Sequence, residues 1–246
     1  MPNDNEIFED EDEIIQPDPE DDEALDESTV EFFNSLSVTT PVSDSATNEL
    51  DQIDPAGISV SSEDVNKILK AIKIARQDWL RNVKEGSRDN TDKPGQSRIL
   101  EMQRNTGAVG AAWCASAVTT WWKEAGLLPS NWKGSASVVA WTNWAKQNKR
   151  WSSKPMPGAA IIYDFEGGRA AGGDHIGLCV AVEGGRIASI DGNYADKVSA
   201  YQPNLAHVLG YVLPVTGSTT DIIDELKGQV SLADFKPGSK SNLKYS

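Results

Sequence analysis

Residues 174–183, DHIGLCVAVE, then the pair Gly184-Gly185, then residues 186–193, RIASIDGN, are the stretch on which the fold turns. Both halves are rich in Ile, Val, Leu and Ala, and the glycine pair between them is the signal of a β-hairpin turn. Working outward, AAIIY at 159–163, KVSAYQ at 197–202 and HVLGYVLP at 207–214 have the same strand character. Before Pro157-Gly158 the period changes. Val65, Ile68, Leu69, Ile72, Ala75, Trp79, Leu80 and Val83 follow the helical spacing i, i+3, i+4, i+7 behind a cap at Ser61 or Ser62. Ser97 can cap a short helix carrying Ile99, Leu100 and Met102. The next helix begins near Trp113 and stops at Gly126, with Cys114 in its first turn. Another runs from a cap at Ser135 to Gln147. Helices first and antiparallel strands afterwards predict an α+β fold, with the helices packed on one face of a sheet.

Charge is divided unevenly along the 246 residues. Residues 1–66 hold 21 Asp or Glu and no Lys or Arg, whereas the other 180 carry 23 Lys or Arg against 16 acids, a net +7. The segment 1–58 therefore reads as a disordered acidic arm, 59–214 as one compact domain, and 215–246 as a peripheral tail with a short helix around 221–227. The arm is either a solubilising tail or a docking peptide for a virion or delivery protein, with Phe32, Phe33 and Leu36 as anchors. The mildly basic remainder suits an anionic polymer, and without a concentrated Lys/Arg stripe no nucleic-acid partner is expected. No run reaches the roughly 18 apolar residues of a membrane span. The opening MPNDNEIFEDEDEII has neither a positive n-region nor an apolar core, so no signal peptide is expected. That predicts synthesis in the cytoplasm, with delivery by lysis or a virion if the substrate lies outside.

The two cysteines, Cys114 and Cys179, are too few for a disulfide scaffold or a structural zinc site. Cys114 lies at a helix N-terminus, where positive potential favours the thiolate. It needs an imidazole, and the chain holds two, His175 and His207. His175 opens an apolar strand and can be aimed rigidly into a cleft, whereas His207 is assigned no role. If Glu183-Gly184-Gly185 forms a three-residue loop with a G1 bulge, His175 falls opposite Asn193 and shares a face with Asp191, and both can orient the ring. A two-residue Gly184-Gly185 loop would instead pair His175 with Tyr194 and turn Asn193 to the far face. Cys179 lies about 13 Å along the strand from His175 and reads as core.

Seven of the eight tryptophans fall between 113 and 151. At helical spacing most of such a cluster is core. Trp113 beside the cysteine, Trp132 and Trp151 in expected loops, and Tyr194 are the candidates for a substrate wall.

Taken in order, WCASAVTTWWKEAGL, PGAAIIY, DHIGLCVAV, IDGN and LGYVLP resemble the CHAP (cysteine, histidine-dependent amidohydrolase/peptidase) family across roughly residues 85–214. The resemblance implies a papain-like fold and hydrolysis of amides in peptidoglycan stem peptides or cross-bridges, as in phage lysins. It maps the nucleophile to Cys114, the base to His175, and the acidic-Gly-Asn motif to Asp191 and Asn193. Ala159 stands where the family commonly has an acid, and AVGAAWC has neither the Gln nor the calcium-binding acids of some members. No metal or other cofactor is expected, and the backbone N–H of Cys114 is the expected oxyanion donor. Two other functions fit the same residues: a catalytically silent structural or docking module, and a cysteine peptidase acting on proteins.

Overall fold

The computed structural model describes residues 61–167, 172–216, 219–226 and 229–235. The acidic arm, with Phe32, Phe33 and Leu36, lies outside the described residues. Chain contacts separate Met1–Asn48 from Glu49–Ser246, and every described residue belongs to the second unit.

Helix α1, Ser62–Leu80, starts where Ser61 accepts a hydrogen bond from the Asp64 N–H at 3.0 Å. It buries Val65, Ile68, Ala71, Ile72 and Ala75 at helical spacing. Helix α2, Arg98–Thr106, begins as expected, but Ser97 does not cap it through its side chain. The carboxylate of Asp92 does so instead, accepting from the Ile99 and Leu100 N–H groups at 2.8 Å each. An acid there also suits the positive end of the helix dipole. Helix α3, Cys114–Ala125, closes on left-handed Gly126. Helix α4, Val138–Gln147, is capped by Ser137 rather than Ser135, whose hydroxyl accepts instead from the Ser137 N–H at 3.0 Å.

Six antiparallel strands follow: β1 Trp151–Ser152, β2 Ala160–Tyr163, β3 His175–Glu183, β4 Arg186–Tyr194, β5 Lys197–Tyr201 and β6 Val208–Val212. Their order in the sheet is β1-β6-β2-β3-β4-β5. Helices and a six-stranded antiparallel sheet make the chain α+β. Helix α3 lies against β3 and β4, while α1 and α2 pack on α3. None of the described helices is long and apolar enough to cross a membrane.

The described residues after 214 join the core rather than lying at its periphery. Helix α5, Thr219–Leu226, and a 3-10 turn at Leu232–Phe235 bury Ile222, Leu226, Leu232 and Phe235, and the Phe235 ring lies 6.4 Å from Trp79. Every third or fourth residue of this segment is apolar, enough to seal one edge of the core although it is too short to stand alone.

The three N-terminal helices are joined by charge as well as by apolar packing. Arg98 donates to buried Asp78 at 3.0 Å, to Glu101 at 2.9 Å and to Glu124 at 2.8 Å, and Trp121 Nε1 donates to the same Asp78 at 2.9 Å. Burial pushes the Asp78 carboxyl up from its usual range despite the guanidinium beside it. Removing one member of such a group leaves the other charge uncompensated. Arg98→Met is expected to destabilise the fold by about 3–5 kcal/mol, read as a lowered urea midpoint. A midpoint unchanged from the parent would show that solvent screens this network.

Candidate active site

The β3–β4 hairpin decides where His175 points. Its loop is two residues, closed by the pair Glu183↔Arg186, with Gly184 at φ 55° and Gly185 at φ 77°. Both are left-handed, the geometry whose twist matches the flanking strands. The expected three-residue loop is therefore corrected. The extra residue sits deeper, at Val180, where pairing steps from Ala181↔Ala188 to Cys179↔Ser189 and on to Leu178↔Ile190. This bulge shifts the register by one, so the site end of the hairpin has the alignment that a three-residue loop would have produced.

Continuing that alignment sets Gly177 across from Asp191, and a Cβ on Gly177 would overlap the Asp191 carboxylate. The missing side chain is what lets the acid lie flat over β3 and reach the next residue on that face, His175. His175 Nε2 lies 3.0 Å from Asp191 Oδ2. A second glycine brings in Cys114. A Cβ on Gly192 would run into Ala117 and the Trp113 ring, so α3 rests directly on the β4 backbone with Cys114 at its first position. Cys114 lies near enough to the same imidazole to help raise its pKa. With Nε2 facing the acid, Nδ1 is the nitrogen left for the sulfur.

Asp191 is wholly buried and also accepts from Tyr201 Oη at 2.8 Å and from Ser189 Oγ. A buried carboxylate needs such donors, and these two hydroxyls fix its oxygens. Burial works against a charged His175, but hydrogen bonds and charge from Asp191 and Cys114 outweigh it and raise the imidazole to about 10. The arrangement thus favours a charged imidazolium near neutral pH. Burial, with the charge of Asp191 adding to it, pushes the thiol of Cys179 far up. Iodoacetamide is expected to modify Cys114 and spare Cys179 in the native protein, as peptide mass mapping would read. Equal labelling of the two would remove the case for an activated sulfur.

Cys114, His175 and Asp191 converge, whereas Asn193 does not join them. It takes φ 58° at a break in the β4–β5 ladder between Asp191 and Tyr194, and the side chain bonded to the imidazole is that of Asp191. Asparagine tolerates this left-handed backbone better than most residues, which accounts for it there.

Trp113 has no exposed surface and donates its indole N–H to Glu85 at 2.7 Å, so it is not a substrate wall. Trp151 starts strand β1 rather than occupying a loop, and its ring covers Gly210. Three strand spacings, about 14 Å, separate β1 from β3. Trp132 stacks on Trp144 at 4.3 Å and meets Trp141 edge-on at 4.4 Å, in an aromatic cluster with the core. Tyr194 alone of these candidates stands by the imidazole, with its ring 5.9 Å away and 37% exposed.

Two contributors carried no signal in the sequence. Phe165, also 37% exposed, lies 5.5 Å from His175, 6.0 Å from Tyr194 and 5.6 Å from His207. Its loop is fixed by Asp174, which accepts from the Phe165 and Glu166 N–H groups at 3.0 and 2.7 Å. Buried Gln103 holds the turn before Cys114 by donating to Ala111 O at 2.8 Å and accepting from the Gly110 N–H at 3.1 Å. Among the described residues, no three metal-ligating side chains cluster. No protein-family model, curated protein or solved structure matches this chain.

Proposed function

We propose that this chain is a papain-like cysteine amidohydrolase of the CHAP kind, cutting an amide bond in the peptides of bacterial cell walls. The observation that carries the reading is one imidazole held 3.0 Å from a wholly buried carboxylate, with a thiol at a helix N-terminus near enough to help raise its pKa. Such a constellation activates sulfur for acyl transfer. The thiolate of Cys114 attacks the amide carbonyl, and the His175 imidazolium gives its proton to the departing amine. Water then attacks the thioester, His175 takes the water's proton, and the acid product leaves as the thiolate re-forms. As the first residue of α3, Cys114 has a backbone N–H without an intrahelical acceptor, and this N–H serves the oxyanion.

The cell-wall substrate rests on the resemblance of the ordered motifs and on the net +7 of residues 67–246 against an anionic polymer. The full chain is expected to clear a peptidoglycan suspension, and mass spectrometry of the released muropeptides would identify the bond. Hydrolysis of casein with intact muropeptides would turn the assignment toward a protein peptidase. No hydrolysis of either would favour a silent docking module.

Phe165 and Tyr194 form an exposed aromatic notch beside His175, suited to hold an apolar part of the substrate. Phe165→Ala is expected to lower kcat/KM about five- to tenfold, mainly through KM, because a ring contact is worth about 1 kcal/mol or slightly more. Steady-state kinetics with an unchanged KM would remove the notch from the binding surface.

A further inference from the structure

At the far end of α3 from Cys114, about 18 Å along its 12 residues, lies a cavity of about 260 Å³. Its polar wall holds Arg150 and Lys67, and its apolar wall includes Leu127, Leu128, Pro214 and Val215. Arg150 Nη1 is buried without a hydrogen-bond partner. The backbone beneath it is rigid: the Arg150 N–H donates to Ala145 O and its carbonyl accepts from the Leu213 N–H, both at 2.8 Å. Asp64 is the one acid lining the cavity, and it is engaged at 2.8 Å by the Ser61 hydroxyl. Burial lowers the pKa of Arg150, and Asp64 offsets this only in part. A half-desolvated guanidinium with an unmet N–H gains more from a bound anion than a surface arginine does.

We propose that this cavity binds a carboxylate-bearing ligand of about amino-acid size, with Arg150 gripping the carboxylate, Lys67 at the rim and an aliphatic group against Leu127 and Val215. Planar guanidinium matches planar carboxylate through two parallel hydrogen bonds, and the apolar wall selects an organic acid over inorganic phosphate. The ligand is either a free short-chain acid or the C-terminal residue of a peptide. No residue of the proposed catalytic group takes part, so the site and the hydrolase reading stand or fall separately.

Titration of the full chain, followed by amide NMR shifts at Lys67, Gly126 and Leu127, tests this with propionate, N-acetylalanine, N-acetylalanine amide and phosphate. Both acids, or N-acetylalanine alone, are expected to bind. Equal binding identifies a free acid, and tighter N-acetylalanine identifies a peptide terminus. Arg150→Met is expected to weaken binding at least about tenfold. Lys67→Glu changes a partly exposed residue whose ion pair is with Glu63 of the same helix and is expected to weaken binding severalfold, with a thermal melt of the variant as the check on its fold. Absence of shifts, equal binding of the amide, binding of phosphate alone, or undiminished binding by both variants would overturn the proposal.

Discussion

Cys114→Ser is expected to reduce amide hydrolysis by about ten-thousandfold or more while the melting temperature stays close to that of the parent. The size of the loss follows from the chemistry of a coupled pair, since removing one member of a nucleophile–base unit costs about as much as removing the whole unit. A serine hydroxyl is a far weaker acid than a thiol, so the imidazole that ionises sulfur does not ionise oxygen in the ground state. The structural change is small. Cys114 is 7% exposed, and serine is as compact and suits a helix N-terminus. A decisive measurement compares turnover of purified muropeptides by the parent and the variant with thermal melts of both. Equal turnover would remove the sulfur from the mechanism, and a collapsed melt would shift the test to reversible thiol blocking of the parent.

Elements with a periodic signal were legible in the sequence. The cap at Ser61, the buried face of α1, the start of α3 at Cys114 and the strands around His175 and Asp191 all follow from spacing and capping chemistry. The hairpin was harder because β3 is buried from Ile176 to Ala181, on both faces, and such a strand shows no alternation that would reveal where an extra residue is absorbed. A three-residue loop would put the extra residue at the glycines; the ladder takes it up at Val180 instead.

Ser189 lies two residues before Asp191 on the same face, so alternation alone was enough to suggest it as a partner. Tyr201 required the pairing of β4 with β5, and Gln103 looked like an ordinary polar residue of an amphipathic helix. Phe165 sits in an acidic, glycine-containing loop without periodicity, and its place depends on Asp174 tying that loop back. Conversely, tryptophans attract functional readings by size. Trp113 and Trp151 fill space instead, one under the α3–β4 contact and the other over Gly210.

The acid beside His175 sets both the pH range of activity and the pH dependence of stability. His175 is held at about 10, with burial opposing the charge and Asp191 and Cys114 sustaining it. In the proposed mechanism the proton on His175 serves the departing amine, so kcat/KM is expected to hold its plateau well above neutrality and fall as pH rises through about 10. Asp191→Asn keeps the shape and an acceptor for the His175 N–H but removes the charge, so the alkaline limb should move down by about 1–3 pH units. Activity at neutral pH should fall at the same time, as the imidazolium loses its counter-charge.

Stability gives an independent reading with a defined sign. A histidine whose folded pKa lies above its unfolded value of about 6.5 adds stability in full below that value, and loses it as pH rises through the folded one. The parent should therefore lose stability between about pH 6.5 and 10, and Asp191→Asn should lose less over the same interval. Melts across that range, measured beside the kcat/KM profile, test both limbs. An alkaline limb and a stability slope unmoved by the substitution would mean that Asp191 does not sustain the charge on His175, and the shared imidazole would cease to explain the site.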